Sequence, residues 1–96
     1  MYHKFKQYPN SLRKHRKNAG LRQFEVARHL GLSNCERISK WENGRATPVL
    51  WTLFQLAALY HVSPQELYDE LYRKSIESVT EASSAGIPAG EYEPRP

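Results

Sequence analysis

The stretch "RQFEVARHLGLSNCERISKWENG", residues 22–44, decides how this chain folds. Val26, Ala27 and Leu30 recur at three- to four-residue spacing, the mark of a helix with one face turned to a core. Phe24 falls off that face. The pattern stops at Gly31 and resumes after Ser33 or Asn34, both good helix caps. It stops again at Asn43-Gly44. Taken as a helix, residues 35–42 place Ile38, Trp41 and Glu42 on one side and Glu36 and Lys40 on the other. Cys35 and Ser39 flank the polar side on one edge and Arg37 on the other.

Two short helices joined by "GLSN" carry the signature of a helix-turn-helix. In that motif the second helix enters the DNA major groove with its N-terminal residues at base edges, and the first crosses the backbone. Free N–H groups at the start of the first helix can meet phosphate, and Gln23 sits at that place.

The pattern extends both ways from this pair. Residues 1–9 form a basic, aromatic arm ending at Pro9. Asn10 or Ser11 caps a helix running to about Ala19, with Gly20 as its stop. Leu12, Ala19 and the stems of His15 and Arg16 give its inner face. Downstream, Thr47-Pro48 offers a cap and a proline at the first helical position. The helix that follows carries Leu50, Leu53, Leu56, Ala57 and Tyr60. Ser63-Pro64-Gln65-Glu66 is a capping box that opens a fifth helix, with Leu67, Leu71 and Ile76 inward. From about Val79 the composition, ending "TEASSAGIPAGEYEPRP", is that of a flexible tail. The expected organisation is all-α: a compact five-helix domain over residues 10–78, between a basic arm (1–9) and a flexible tail (79–96).

The 96 residues suit one small domain. Charge is unevenly placed: residues 1–45 hold 11 Lys+Arg against 3 Asp+Glu, and residues 46–96 hold 3 against 7. A basic first half points to a polyanion-facing surface. There is no run of about 18 apolar residues, so no membrane-spanning helix is expected. The start, MYHKFKQYP, has no signal-peptide core, which makes the cytoplasm the default compartment. With one cysteine, Cys35, no internal disulfide can form. The histidines, His3, His15, His29 and His61, make no zinc-ligand pair with it, so neither metal nor cofactor is expected.

On "LRKHRKNAGLRQFEVARHLGL", "RISKWENGRATP" and "LFQLAALYHVSPQELY", the chain resembles the Cro/lambda-repressor-like (XRE-type) helix-turn-helix DNA-binding family. The resemblance covers residues 12–68. It implies five helices, the second and third forming the reader, and a structural ion pair between Arg16 and Glu42. Such a pair explains a carboxylate on an apolar face, because an unpaired buried carboxylate is costly. Two departures stand out. Arg22 occupies a capping position usually filled by a small polar residue, and an arginine cannot accept that hydrogen bond. The link from Gly31 to Ile38 is also one residue longer than the commonest form. Counted back from Trp41, Asn34 is the cap; counted forward from Gly31, every position shifts by one.

Within this frame, Asn34, Cys35, Glu36, Arg37 and Lys40 are the candidate base-reading residues. Lys40 and Arg37 offer donors to guanine, and Glu36 an acceptor for cytosine N4. As a bland alternative, Glu36 and Lys40 make an ordinary (i, i+4) surface pair. Arg22, Gln23, Ser39, Asn43, Arg45 and Lys17 are the phosphate candidates, groups that set affinity and salt dependence rather than sequence choice. The expected partner is double-stranded DNA. A homodimer is a candidate assembly, with "LYDELYRKSI" of the fifth helix as its contact. The reading is a sequence-specific transcriptional regulator of bacterial, phage or mobile-element type; the competing one is an antitoxin or protein-interaction module on the same scaffold. No nucleophile–base–acid constellation or phosphate loop points to an enzyme.

Overall fold

The computed structural model describes residues 7–84, and among them the secondary structure is helical throughout. Six helices follow one another: α1 (Leu12–Asn18), α2 (Gln23–His29), α3 (Glu36–Glu42), α4 (Leu50–Tyr60), α5 (Pro64–Leu67) and α6 (Asp69–Ser84). Their inward residues make one core. Leu12, Val26, Ala27, Ile38, Trp41, Leu56, Ala57, Tyr60 and Leu67 are buried in it, so each of α1 to α5 contributes at least one side chain. α1 packs on α3 and α4, α2 on α3, and α4 on α5.

Two asparagines start the helices that matter most. Asn10 Oδ1 accepts from the Leu12 N–H (3.0 Å), and Asn34 Oδ1 accepts from the Glu36 N–H (2.9 Å). Each is a side-chain turn that takes up a donor the helix leaves unsatisfied. The residue ahead of the first turn of α3 is Cys35, which makes no side-chain capping bond; Asn34, one position earlier, supplies the turn instead. α2 begins at Gln23 with Arg22 ahead of it, and only half a capping box forms: the Glu25 carboxylate accepts the Arg22 N–H at 2.7 Å. The Arg22 side chain has no lone pair with which to reciprocate.

α1, α2 and α3 each end shortly before a glycine with positive φ, and the N–H after that glycine turns back to the helix: Leu21 to Arg16, Leu32 to Ala27, Arg45 to Lys40. Gly44 has a second constraint. A Cβ there would lie 2.8 Å from the Tyr8 carbonyl oxygen, and the Tyr8 N–H donates to the Gly44 carbonyl at 2.7 Å. Asn10 Nδ2 donates to the Tyr8 and Trp41 carbonyls (2.9 and 3.0 Å). The end of the N-terminal arm is therefore pinned against the last turn of α3.

Four expectations are corrected. The fourth helix does not start at Thr47-Pro48; residues 47–49 are not helical, and Val49, extended (φ −66°, ψ 162°), is the residue ahead of the first turn. The fifth helix is two helices, broken at Tyr68 (φ −133°, ψ 47°), whose ring packs against the core. At the break the Leu67 carbonyl accepts the Ser11 N–H at 2.9 Å, tying it to the start of α1. Ile76, expected inward, is exposed and Leu71 is half-buried, because α6 leaves the globule after its first turn. α6 also runs past residue 79 to Ser84. The rest of the tail (85–96) and the start of the arm (1–6) lie outside the described residues.

Candidate nucleic-acid interface

The helix-turn-helix consists of α2, the link 30–35 and α3. α3 divides by face. Ile38 (1% exposed) and Trp41 (8%) are buried. Full burial of side chains this size contributes about 1.5–3 kcal/mol each, enough to fix the rotation of a seven-residue helix. Glu36, Arg37 and Lys40 are left exposed, with Cys35 and Ser39 half-buried at their edge. Asn34, Glu36 and Arg37 line one side of a shallow depression with Gly31, Leu32 and Ser33. The structure thus brings the candidate base-reading residues onto one wet surface at the start of α3. Asn34 has its carbonyl oxygen committed to the turn ahead of α3, which leaves its amide N–H groups for any further contact.

Glu42 holds this helix to the other two. Its carboxylate accepts a forked pair from Arg16, Nε to Oε2 at 2.6 Å and Nη2 to Oε1 at 3.1 Å. Both side chains are almost wholly buried, and Arg16 Nη1 also donates to the Leu21 carbonyl at 2.9 Å. Burial pushes the Glu42 pKa up. The hydrogen bonds from Arg16, Gln23 and Arg13, together with the Arg16 charge, outweigh it and hold the carboxyl below its ordinary value. The Glu42 hydrogen bond in turn raises Arg16. Burial, assisted by the charge of Glu42, pushes the nearby Tyr60 phenol well above its ordinary range.

Two members of this network have a different place from the one the sequence suggests. Gln23, a phosphate candidate, donates its amide to Glu42 Oε1 at 3.0 Å and so ties α2 to α3. Arg13 was not among the candidates. It donates to Glu42 Oε1 (3.3 Å) and to Asn43 Oδ1 (3.0 Å), while Asn43 Nδ2 donates to Ser39 Oγ (3.3 Å). A chain of hydrogen bonds thus runs from the buried pair out to Ser39 and Asn43. Arg13 is half-exposed, so solvent screens its charge and it adds little stability. One signal pointed to it: Arg13 and Arg16 are three residues apart and share a helix face. Lys17 on α1, Arg22 ahead of α2 and Arg45 after α3 are exposed cations.

α3 is thus a short helix fixed by its back, with Glu36, Arg37 and Lys40 exposed on its front. The fold and this surface define a DNA-binding helix-turn-helix protein. The helix-turn-helix domain family matches residues 10–71, well over half of the chain, and the chain belongs to that family. Its XRE-type resemblance is consistent with that membership. No curated protein and no solved structure matches the chain. No helix among the described residues is long and apolar enough to cross a membrane.

Proposed function

We propose that the protein is a sequence-specific transcriptional regulator of bacterial, phage or mobile-element type that acts in the cytoplasm and seats α3 in the major groove. The observation that carries this reading is the division of α3: Ile38 and Trp41 buried, Glu36, Arg37 and Lys40 exposed. Side chains of that kind on the exposed face of a reading helix, Glu36 and Arg37 in its first turn and Lys40 in its last, match base-edge patterns, guanine for Arg and Lys and cytosine for Glu. Lys17, Arg22 and Arg45 supply phosphate contacts that set register and affinity. Asn43, held by Arg13, and Ser39, held by Asn43, complete them with uncharged donors.

The test is a selection of bound duplexes from random DNA, followed by fluorescence titration of the recovered sequence at several salt concentrations. Tight binding to one motif with a steep salt slope is the expected result. Weak binding that is the same for every duplex would sink the regulator reading.

A further inference from the structure

Because α4 begins at Leu50 and not at Thr47-Pro48, the segment 47–49 is left as part of the wall of a cleft. The cleft holds about 240 Å³ and draws on the link of the helix-turn-helix, on α3 and on α4. Leu30, Leu32, Trp41 and Pro48 give it apolar walls, and Arg37, Thr52 and Gln55 supply polar groups. Apolar walls with a few polar groups are the composition of a small-molecule site. Thr52 and Gln55 are half-buried, yet among the described residues their side chains make no hydrogen bond. Arg37 has no hydrogen-bond or ion-pair partner among them either. These groups are left to water or to a ligand.

The charge and size of the cleft define its occupant. Among the residues that line it, Arg37 alone is charged, and no Asp or Glu opposes an anion there. A guanidinium holds a planar carboxylate through two parallel N–H donors. The volume equals roughly eight waters at about 30 Å³ each, which admits one ring with small substituents. The outer face of α4 is a second apolar surface, with Leu50 (67% exposed), Trp51 (70%) and Phe54 (46%) turned to solvent. It has no cation to hold an acid, because α4 carries no charged residue. Arg37 also lines the depression that holds Asn34 and Glu36 on the front of α3, so one guanidinium serves two surfaces. Once its forked donors hold a carboxylate, they are withdrawn from guanine O6 and N7.

We propose that this cleft binds a small aromatic carboxylate, its acid group on Arg37 and its ring between the apolar walls, and that the bound acid and DNA compete for Arg37. Only the competition rests on the DNA-binding reading. A hydroxyl on the ring meets Thr52 or Gln55, so a hydroxybenzoate is a better occupant than benzoate. The competition is reciprocal: the acid loosens the duplex by the factor by which the duplex loosens the acid.

The experiment is a two-dimensional NMR titration of the isotope-labelled full chain with 4-hydroxybenzoate, with 4-hydroxybenzyl alcohol and acetate as separate probes. The expected result is saturable shifts centred on the Trp41 indole N–H and the Leu32 and Thr52 amides, with the Trp51 indole unmoved. The neutral alcohol and the ringless acid should each bind about tenfold or more weakly, since each lacks one of the two contacts. Arg37→Ala should weaken the aromatic acid by a similar factor with helical circular dichroism unchanged, because Arg37 is exposed. In a fluorescence titration on the selected duplex, saturating acid should weaken the unmodified chain about fivefold or more and leave Arg37→Ala unaffected. Acetate binding as tightly as the aromatic acid reduces the site to a bare ion pair and overturns the proposal. Shifts centred on Trp51 and Phe54, an affinity untouched by Arg37→Ala, or no saturable shift at Trp41 overturn it equally. Saturable binding that leaves the duplex as tight as before overturns the competition. Failure to bind any duplex would remove the regulator reading and leave the NMR titration to decide the site.

Discussion

Arg16 and Glu42, 26 positions apart, meet in a forked pair with a shortest approach of 2.6 Å inside the joint between α1 and α3. The pair makes the orientation of α3 depend on a helix outside the helix-turn-helix. Arg16→Ala leaves a buried carboxylate with only Gln23 and the half-exposed Arg13 as donors. Loss of one partner of a buried pair costs about 3–5 kcal/mol, and the remaining donors favour the lower end. At about 4–8 °C per kcal/mol for a domain of this size, the melting temperature should fall by more than about 10 °C in a circular-dichroism scan. An unchanged melting point would show that the pair holds nothing.

The same carboxylate sets an acid limit. Glu42 has a folded pKa below its ordinary 4.5, so the unfolded chain takes up its proton first as pH falls. Its contribution to stability is fully present above the unfolded value and is lost as pH drops through the folded one. Urea midpoints should therefore hold through the weakly acidic range and decline below about pH 4.5. Glu42→Gln should start lower at neutral pH and decline less steeply in acid. Parallel curves for the two proteins would assign the acid limit elsewhere.

Tyr68 has a buried hydroxyl with no hydrogen-bond partner, and burial pushes its pKa up to about 12. An unsatisfied buried polar group costs about 1–3 kcal/mol. Tyr68→Phe keeps the ring against the core and removes the orphan, so it should raise stability by about 1 kcal/mol by urea titration. A decrease of that size would mean that the hydroxyl has a partner in solution. In alkali, stability should decline between the ordinary value of 10 and about 12, because the unfolded phenol ionises first.

The reading face and the phosphate ring should separate in binding measurements. Arg37→Ala with Lys40→Ala removes exposed groups only, so the melting temperature should stay put. Each side chain taken away from a base edge should cost about 1–3 kcal/mol of discrimination on the selected sequence. Arg45→Ala should weaken all duplexes alike and lower the salt slope by about one. If operator preference survives the double substitution, the bases are read by another surface.

Much of the frame was legible in the chain. Val26, Ala27, Leu30, Ile38 and Trp41 mark inward faces by spacing alone, and Gly20, Gly31 and Gly44 mark the stops. The start of α4 was not legible, because Thr47-Pro48 has good capping chemistry yet residues 47–49 stay outside the helix. The break at Tyr68 was equally hidden. No glycine or proline announces it, and it follows from tertiary demands on one ring and one carbonyl. In the site, the hydrogen bonds that recruit Gln23 and Asn43 span 19 and 30 positions, a distance over which periodicity carries no information. The outer face of α4 was in view as an uncharged run, but only burial separates its wet half from its core half.

The bond between Tyr8 and Gly44 has a practical consequence for anyone handling the protein. It fixes the leading end of the globule beside the last turn of α3. A purification handle or fluorescent reporter joined ahead of residue 7 is therefore tethered close to α3, the helix proposed to enter the groove, where it would compete with a duplex for space. Cargo joined at the other end, behind α6, avoids that tether.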